Sequence, residues 1–112
     1  MATLATQPIT RAGTTPTYAA AAAGGDAFTP DKDTFLHVKN ASGAAITVTI
    51  VTPRTDALGN PVADNAIVVP LTTGDKMIGP FPAEFYADPT TGLASITYSG
   101  VTSLTIAVMQ AA

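Results

Sequence analysis

His37 is the sole histidine, so any imidazole chemistry has to pass through it. Leu36 and Val38 flank it in a β-like alternation, and no serine, cysteine or acid stands beside it in a nucleophile motif. It lacks an i+4 partner and a cysteine cluster, so it has no zinc spacing and reads as a half-exposed strand residue. Asp26, Asp31 and Asp33 form the one acidic cluster, and closely spaced oxygen donors suit calcium. The EF-hand pattern fails, because its third ligand would fall on Phe35 and its glycine on Leu36, so Asp31 is expected to cap its own turn. Gly24-Gly25-Asp26 and Gly43 have neither the dinucleotide nor the Walker spacing, and neither opens a helix whose N-terminus would hold a phosphate. Glu84 and scattered aspartates give no positive sign of the carboxylate pair of a glycoside hydrolase. The expectation is no enzyme, no metal and no cofactor.

The elements that must position these residues are strands. From Thr34 onward, apolar residues recur with a period of two, the mark of half-buried strands. Leu36 and Val38 point one way, with Phe35, His37 and Lys39 the other, and Ile46, Val48 and Ile50 alternate with Thr47 and Thr49. The connection Asn40 to Ala44 contains Gly43, so these two strands are expected to form a hairpin. Residues 53–65 read as a long loop around Gly59-Asn60-Pro61. Ile67 to Leu71 reads as a strand that Pro70 confines to an edge or a bulge, and Lys76 to Ile78 as a short strand after the turn Thr73-Gly74-Asp75. Pro80 and Pro82 bend the chain, and Pro82 to Tyr86 suits one helical turn that buries Phe85 or Tyr86. Ala94, Ile96 and Tyr98, then Leu104, Ile106 and Val108, are expected to pair through a turn at Ser99-Gly100. Six strands at this spacing predict an all-β domain, a small antiparallel β-sandwich or jelly-roll-like body.

That body spans 34–112, and residues 1–33 read as an extended N-terminal arm. Pro8, Pro16 and Pro30 interrupt regular structure there, and the alanines Ala19 to Ala23, closed by Gly24-Gly25, allow at most one helical turn. Leu4, Ile9, Tyr18 and Phe28 punctuate the arm as apolar side chains able to dock into pockets on the body or on a neighbouring partner, and with Tyr86 on the body they are the candidate partner contacts.

Composition narrows the partners. Charged residues are 12% of the chain, about half the usual quarter, so the surface is largely Thr, Ser, Ala and Gly. A net charge of -3 separates neighbouring copies weakly, and a 112-residue domain without cysteine has no disulfide staple, so oligomerisation is expected. Five scattered basic residues make no phosphate-binding stripe, which argues against nucleic acid. Thr, Gln and Pro break up the start of the chain, so no signal peptide is expected, and no apolar run approaches the ~20 residues of a membrane span. The sequon Asn40-Ala41-Ser42 then carries no weight. A glycan-binding sandwich would want an exposed aromatic platform, and the chain has no tryptophan and only seven Phe and Tyr.

Several segments, among them Pro16-Thr17-Tyr18-Ala19-Ala20, Gly24-Gly25-Asp26, Leu36-His37-Val38-Lys39-Asn40, Thr47-Val48-Thr49, Ile78-Gly79-Pro80-Phe81-Pro82 and the closing Tyr98 to Val108 stretch, carry a resemblance. The chain resembles short virion proteins of tailed phages of the capsid-decoration or cement type, such as those encoded near the major capsid gene in phages of actinobacteria. The resemblance implies a structural protein made in the host cytoplasm and bound in many copies, as a trimer, to the major capsid protein or other virion subunits on the head surface. A head-tail connector or tail structural subunit is the alternative within the same class.

Overall fold

The longest strands follow directly from the alternation. In β5 (Thr34–Asn40) and β6 (Ile46–Ile50) the inward set Leu36, Val38, Ile46, Val48 and Ile50 is buried, while His37, Thr47 and Thr49 keep partial solvent contact. A computed structural model describes residues 2–53, 55 and 57–111. Before β5 come β1 (Ala2–Thr3), β2 (Thr6–Pro8), β3 (Ala19–Ala20) and β4 (Asp26–Phe28). After β6 come β7 (Asn65–Val69), β8 (Gly74–Ile78), the single turn α1 (Ala83–Tyr86), β9 (Ala94–Tyr98) and β10 (Leu104–Gln110). Among the described residues one sheet has the order β1-β4-β9-β6-β7 and the other β2-β10-β5-β8, with β3 also on β10. Most pairings are antiparallel, and the two sheets enclose one core, so the all-β sandwich expected from the alternation is the fold. The thinnest dimension, 20 Å, is what two stacked sheets and their outer side chains occupy at a spacing of about 10 Å. No helix among the described residues is long and apolar enough to cross a membrane.

Both expected hairpins are corrected. β5 lies in one sheet and β6 in the other, and the same holds for β10 and β9, so Asn40–Ala45 and Ser99–Ser103 are arches across the core. A short glycine-bearing connection fits either path, because arch and hairpin bury the same alternate side chains. Side-chain chemistry in the first arch shows what selects it. Asn40, 1% exposed, donates from Nδ2 to the carbonyls of Ala44 and Val69 at 3.0 and 3.2 Å, and its Oδ1 accepts from the N–H and Oγ of Ser42 at 2.9 and 2.7 Å. One buried amide thereby fastens the arch to β7 in the far sheet. The sequon asparagine is fully engaged inside the protein.

The arm, expected to be extended, is joined to the body. It is extended, yet β1 to β4 all pair into the sheets, and residue 33 marks no seam. Ala19 and Ala20 form β3 instead of a helical turn, because the free edge of β10 supplies partners: Ala20 registers with Thr105, and Ala21 N–H donates to the Leu104 carbonyl at 3.0 Å. Strands of two or three residues leave no periodicity to read. The strand expected at Ile67 to Leu71 begins earlier and stops at Val69, so Pro70 stands just outside β7 at the sheet edge. In the 53–65 loop, residues 54 and 56 lie outside the described residues, as does residue 1 of the arm.

Candidate functional site

The fold gathers polar side chains in two places. The first is the outer face of the β2-β10-β5-β8 sheet. β5 turns His37 and Lys39 outward, and the β5–β8 register places His37 beside Met77 and Lys39 beside Asp75. Asp75 therefore sits diagonally across from His37, and its Oδ1 pairs with His37 Nε2. On the other side, Tyr18, held just before β3, brings its hydroxyl to 2.5 Å from His37 Nδ1. Its ring stands edge-on to the imidazole with centroids 5.4 Å apart, and Lys39 Nζ lies 4.4 Å from the Tyr18 ring centroid. A hydroxyl on one imidazole nitrogen and a carboxylate on the other repeats the connectivity of a hydrolase triad. A triad also needs a concave place beside the hydroxyl in which a substrate can sit. Here Lys39 lies over the phenol ring, and the groove walled by Thr17 and Ala19, the chain neighbours of Tyr18, does not have Tyr18, His37 or Asp75 in its walls. The cluster is a clasp: the Tyr18–His37 hydrogen bond and the Lys39–Tyr18 cation–π contact hold residues 16–20 of the arm on the sheet, while the His37–Asp75 pair ties β5 to β8.

The second gathering is inside the sandwich. Asp26 on β4 is 0% exposed, and its Oδ2 accepts from the Tyr98 hydroxyl at 2.6 Å and from the Ala22 N–H at 3.2 Å. Its Oδ1 is buried with no hydrogen-bond partner among the described residues. The Tyr98 phenol is held well above its ordinary value, first by burial, then by the hydrogen bond to Asp26 and that group's charge. Above about pH 10 the unfolded chain releases this proton while the folded chain keeps it. Stability is therefore full below that pH and falls as the pH rises. The slope is at most about 1.4 kcal/mol per pH unit, reduced by the partial exposure of Tyr98. Denaturant midpoints measured from pH 8 to 11 should show this decline, and Tyr98→Phe should flatten it while losing about 1–3 kcal/mol at pH 8 by leaving Asp26 short of a donor.

The expected acidic cluster is split by the fold. Asp26 is buried, whereas Asp31 accepts from the Asp33 N–H at 3.2 Å in the turn-capping role anticipated for it. Among the described residues no three His, Cys, Asp or Glu side chains form a group that could hold a metal.

The candidate contact residues part company as well. Phe28 is corrected: at 0% exposure it belongs to the core, edge-on to Phe81 with centroids 5.2 Å apart. Tyr86 is partly buried and packs on Phe81 from the other side at 5.1 Å, leaving its neighbour Phe85 51% exposed. Leu4 is half-buried against the core, Tyr18 is in the clasp, and Ile9 alone of the five is exposed, at 38%. Pro70 marks β7 as an edge strand in the sequence, but not as a contact surface, although it carries Val68 at 58% exposure and is followed by Leu71 at 50%. Its absence of charge was the available signal. Comparison with models of protein families, with curated proteins and with solved structures finds no match in any of the three, so the function has to be argued from these surfaces.

Proposed function

We propose that the chain is a structural virion subunit, a decoration protein that binds the outer surface of a phage head and bridges subunits of its lattice as a trimer. The observation that carries this reading is the contrast between the two sheet edges on the side away from the arm. β8 is defended: in its register with Val38, Lys76 belongs to the inward-facing set, and a charge placed there blocks the approach of another strand. β7 has no such guard. Asn65–Val69 is uncharged and rich in β-branched residues, it ends its sheet, and Val68 and Leu71 stand exposed along it. A free, charge-poor edge of this kind suits strand addition by a protein partner, with backbone hydrogen bonds supplying affinity and alternate side chains the fit. The clasp at His37 supports a structural task over catalysis, since it spends the one imidazole on holding the arm.

Undecorated phage heads mixed with the protein and pelleted should carry it down and gain heat resistance. Val68→Lys combined with Leu71→Lys should reduce the bound protein at least tenfold while leaving folding stability within about 0.5 kcal/mol per site, because both positions are exposed. Wild-type protein that stays in the supernatant would overturn the reading, and full binding by the double variant would remove the β7 edge from it.

A further inference from the structure

Among the described residues, the segment from Ala2 to Pro8 is the one that pairs in parallel with both sheets. Ala2 and Thr3 pair in parallel with Asp26 and Ala27 at one end of the first sheet, and Thr6 to Pro8 pair in parallel with Val108 to Gln110 in the second. Between them the chain crosses from sheet to sheet. Leu4 donates its N–H to the Ala27 carbonyl at 2.7 Å and packs against the core, so seven residues close one side of the sandwich. A parallel edge pairing is indifferent to which chain supplies the strand.

We propose that this segment is exchangeable: Ala2–Pro8 of one copy can occupy the β4 and β10 edges of a second copy, reproducing the sheet pairings it makes at home. The hinge would be residues 9–16. Its turn is held by exposed threonine and backbone bonds: Thr14 Oγ1 donates to the Pro8 carbonyl at 2.9 Å, the Thr10 N–H donates to Thr14 Oγ1 at 3.1 Å, and the Gly13 N–H donates to the Thr10 carbonyl at 3.0 Å. Water can replace each of these at a cost of about 0.5–1.5 kcal/mol. Pro8 and Pro16 bracket the turn and bias both ends toward extended backbone, which favours the opened form. Opened, eight residues span about 26–29 Å. The Gln7 side chain travels with the segment and exchanges two 2.8 Å hydrogen bonds with Thr17, which stays with the body, so that pair re-forms between copies. Exchange of an identical element is a low-cost route to assembly. The tether sets an effective concentration on the order of 1 mM, so dilute chains keep their own segment and crowded ones trade it. The inference supplies a bridging step for the lattice role proposed above, but it is a property of the free chain and is tested there.

The chain has no cysteine, which makes the test direct. Thr3→Cys in a tagged copy and Ala27→Cys in an untagged copy place thiols at registered positions of β1 and β4. The two proteins are mixed at about 10 μM and about 1 mM, oxidised, and resolved on a non-reducing gel. Exchange predicts that the mixed disulfide rises at least tenfold with concentration and exceeds the half share that random collision would give it. A second registered pair, Gln7→Cys with Met109→Cys, repeats the test on the other sheet in case the buried Ala27 position disturbs folding. A mixed disulfide at the statistical share for both pairs at 1 mM would overturn the inference. Particle binding by a chain that fails this test would leave the virion reading standing, and exchange by a chain that binds no particle would remove the virion reading alone.

Discussion

Phe28→Ala should lower the unfolding free energy by about 3–5 kcal/mol, the range for truncating a fully buried aromatic ring. β4 is three residues long and lies between β1 and β9, so Phe28 is the main apolar anchor that this part of the arm places in the core. Its ring meets Phe81 edge-on, and Phe81 in turn meets Tyr86, which makes a row of aromatics joining the arm to the segment around α1. Removing the first ring opens a cavity and also strips Phe81 of its edge contact, worth about 0.5–1.5 kcal/mol within that total. Urea unfolding measures it: at a slope of about 1–3 kcal/mol per molar, the midpoint should fall by about 1 M or more. Ile9→Ala, made on the exposed part of the same arm, should stay within about 0.5 kcal/mol. Were Phe28 a contact for a partner, the two variants would be equally stable and differ only in binding.

That contrast marks where sequence reading succeeds and where it stops. Ile46-Thr47-Val48-Thr49-Ile50 and Leu36-His37-Val38 declare both their state and their buried face, because in a strand the side chains alternate and only one set can meet the core. Phe28 has no such context. Asp26-Ala27-Phe28 is too short for a period, all three residues are buried, and the strand exists because β9 and β1 offer it edges. The route of the chain is equally hidden. Ser99-Gly100 satisfies the chemistry of a tight hairpin turn, yet β9 and β10 separate into different sheets, and only the pairing of β10 with β5 over seven positions shows which neighbour won.

The clasp was illegible for a related reason. Tyr18, His37 and Asp75 lie 19 and 38 residues apart, and they converge only once β8 docks beside β5 and the arm folds over that sheet. His37 was readable as an outward strand residue, which it is, but its two partners come from a short arm segment and an edge strand whose positions no local pattern encodes. Asp26 shows the reverse. Its spacing from Asp31 and Asp33 hints at an exposed acidic group, while the fold buries it beside Tyr98, 72 residues away.

Gly74→Ala should destabilise the chain by about 3 kcal/mol, at the upper end for overpacking, because nothing near it can yield cheaply. Gly74 opens β8 directly after the turn that carries the chain from the edge of one sheet to the edge of the other. A Cβ there would stand 1.9 Å from the Pro70 carbonyl oxygen and 2.9 Å from both the Pro70 carbonyl carbon and a Val69 methyl. Two of those three atoms are backbone, so relief requires moving the turn itself and not a side-chain rotation. The turn is already committed: Thr72 sits at φ 65°, a left-handed conformation costing a non-glycine residue about 1–2 kcal/mol, and its N–H is fixed to the Ser42 carbonyl at 2.8 Å. Gly43→Ala is the matched control, since a Cβ there meets nothing within 4 Å, and it should be neutral or slightly stabilising through the unfolded state. Thermal unfolding should separate the pair by roughly 10 °C, taking about 4 °C per kcal/mol for a domain of this size. The same displacement would carry Leu71 and the end of β7 out of place, so under the decoration role proposed above Gly74→Ala should weaken binding to phage heads even at temperatures where it remains folded. Equal melting temperatures for the two variants would mean that the turn relaxes freely and that the β7 edge is not held in the fixed geometry strand addition requires.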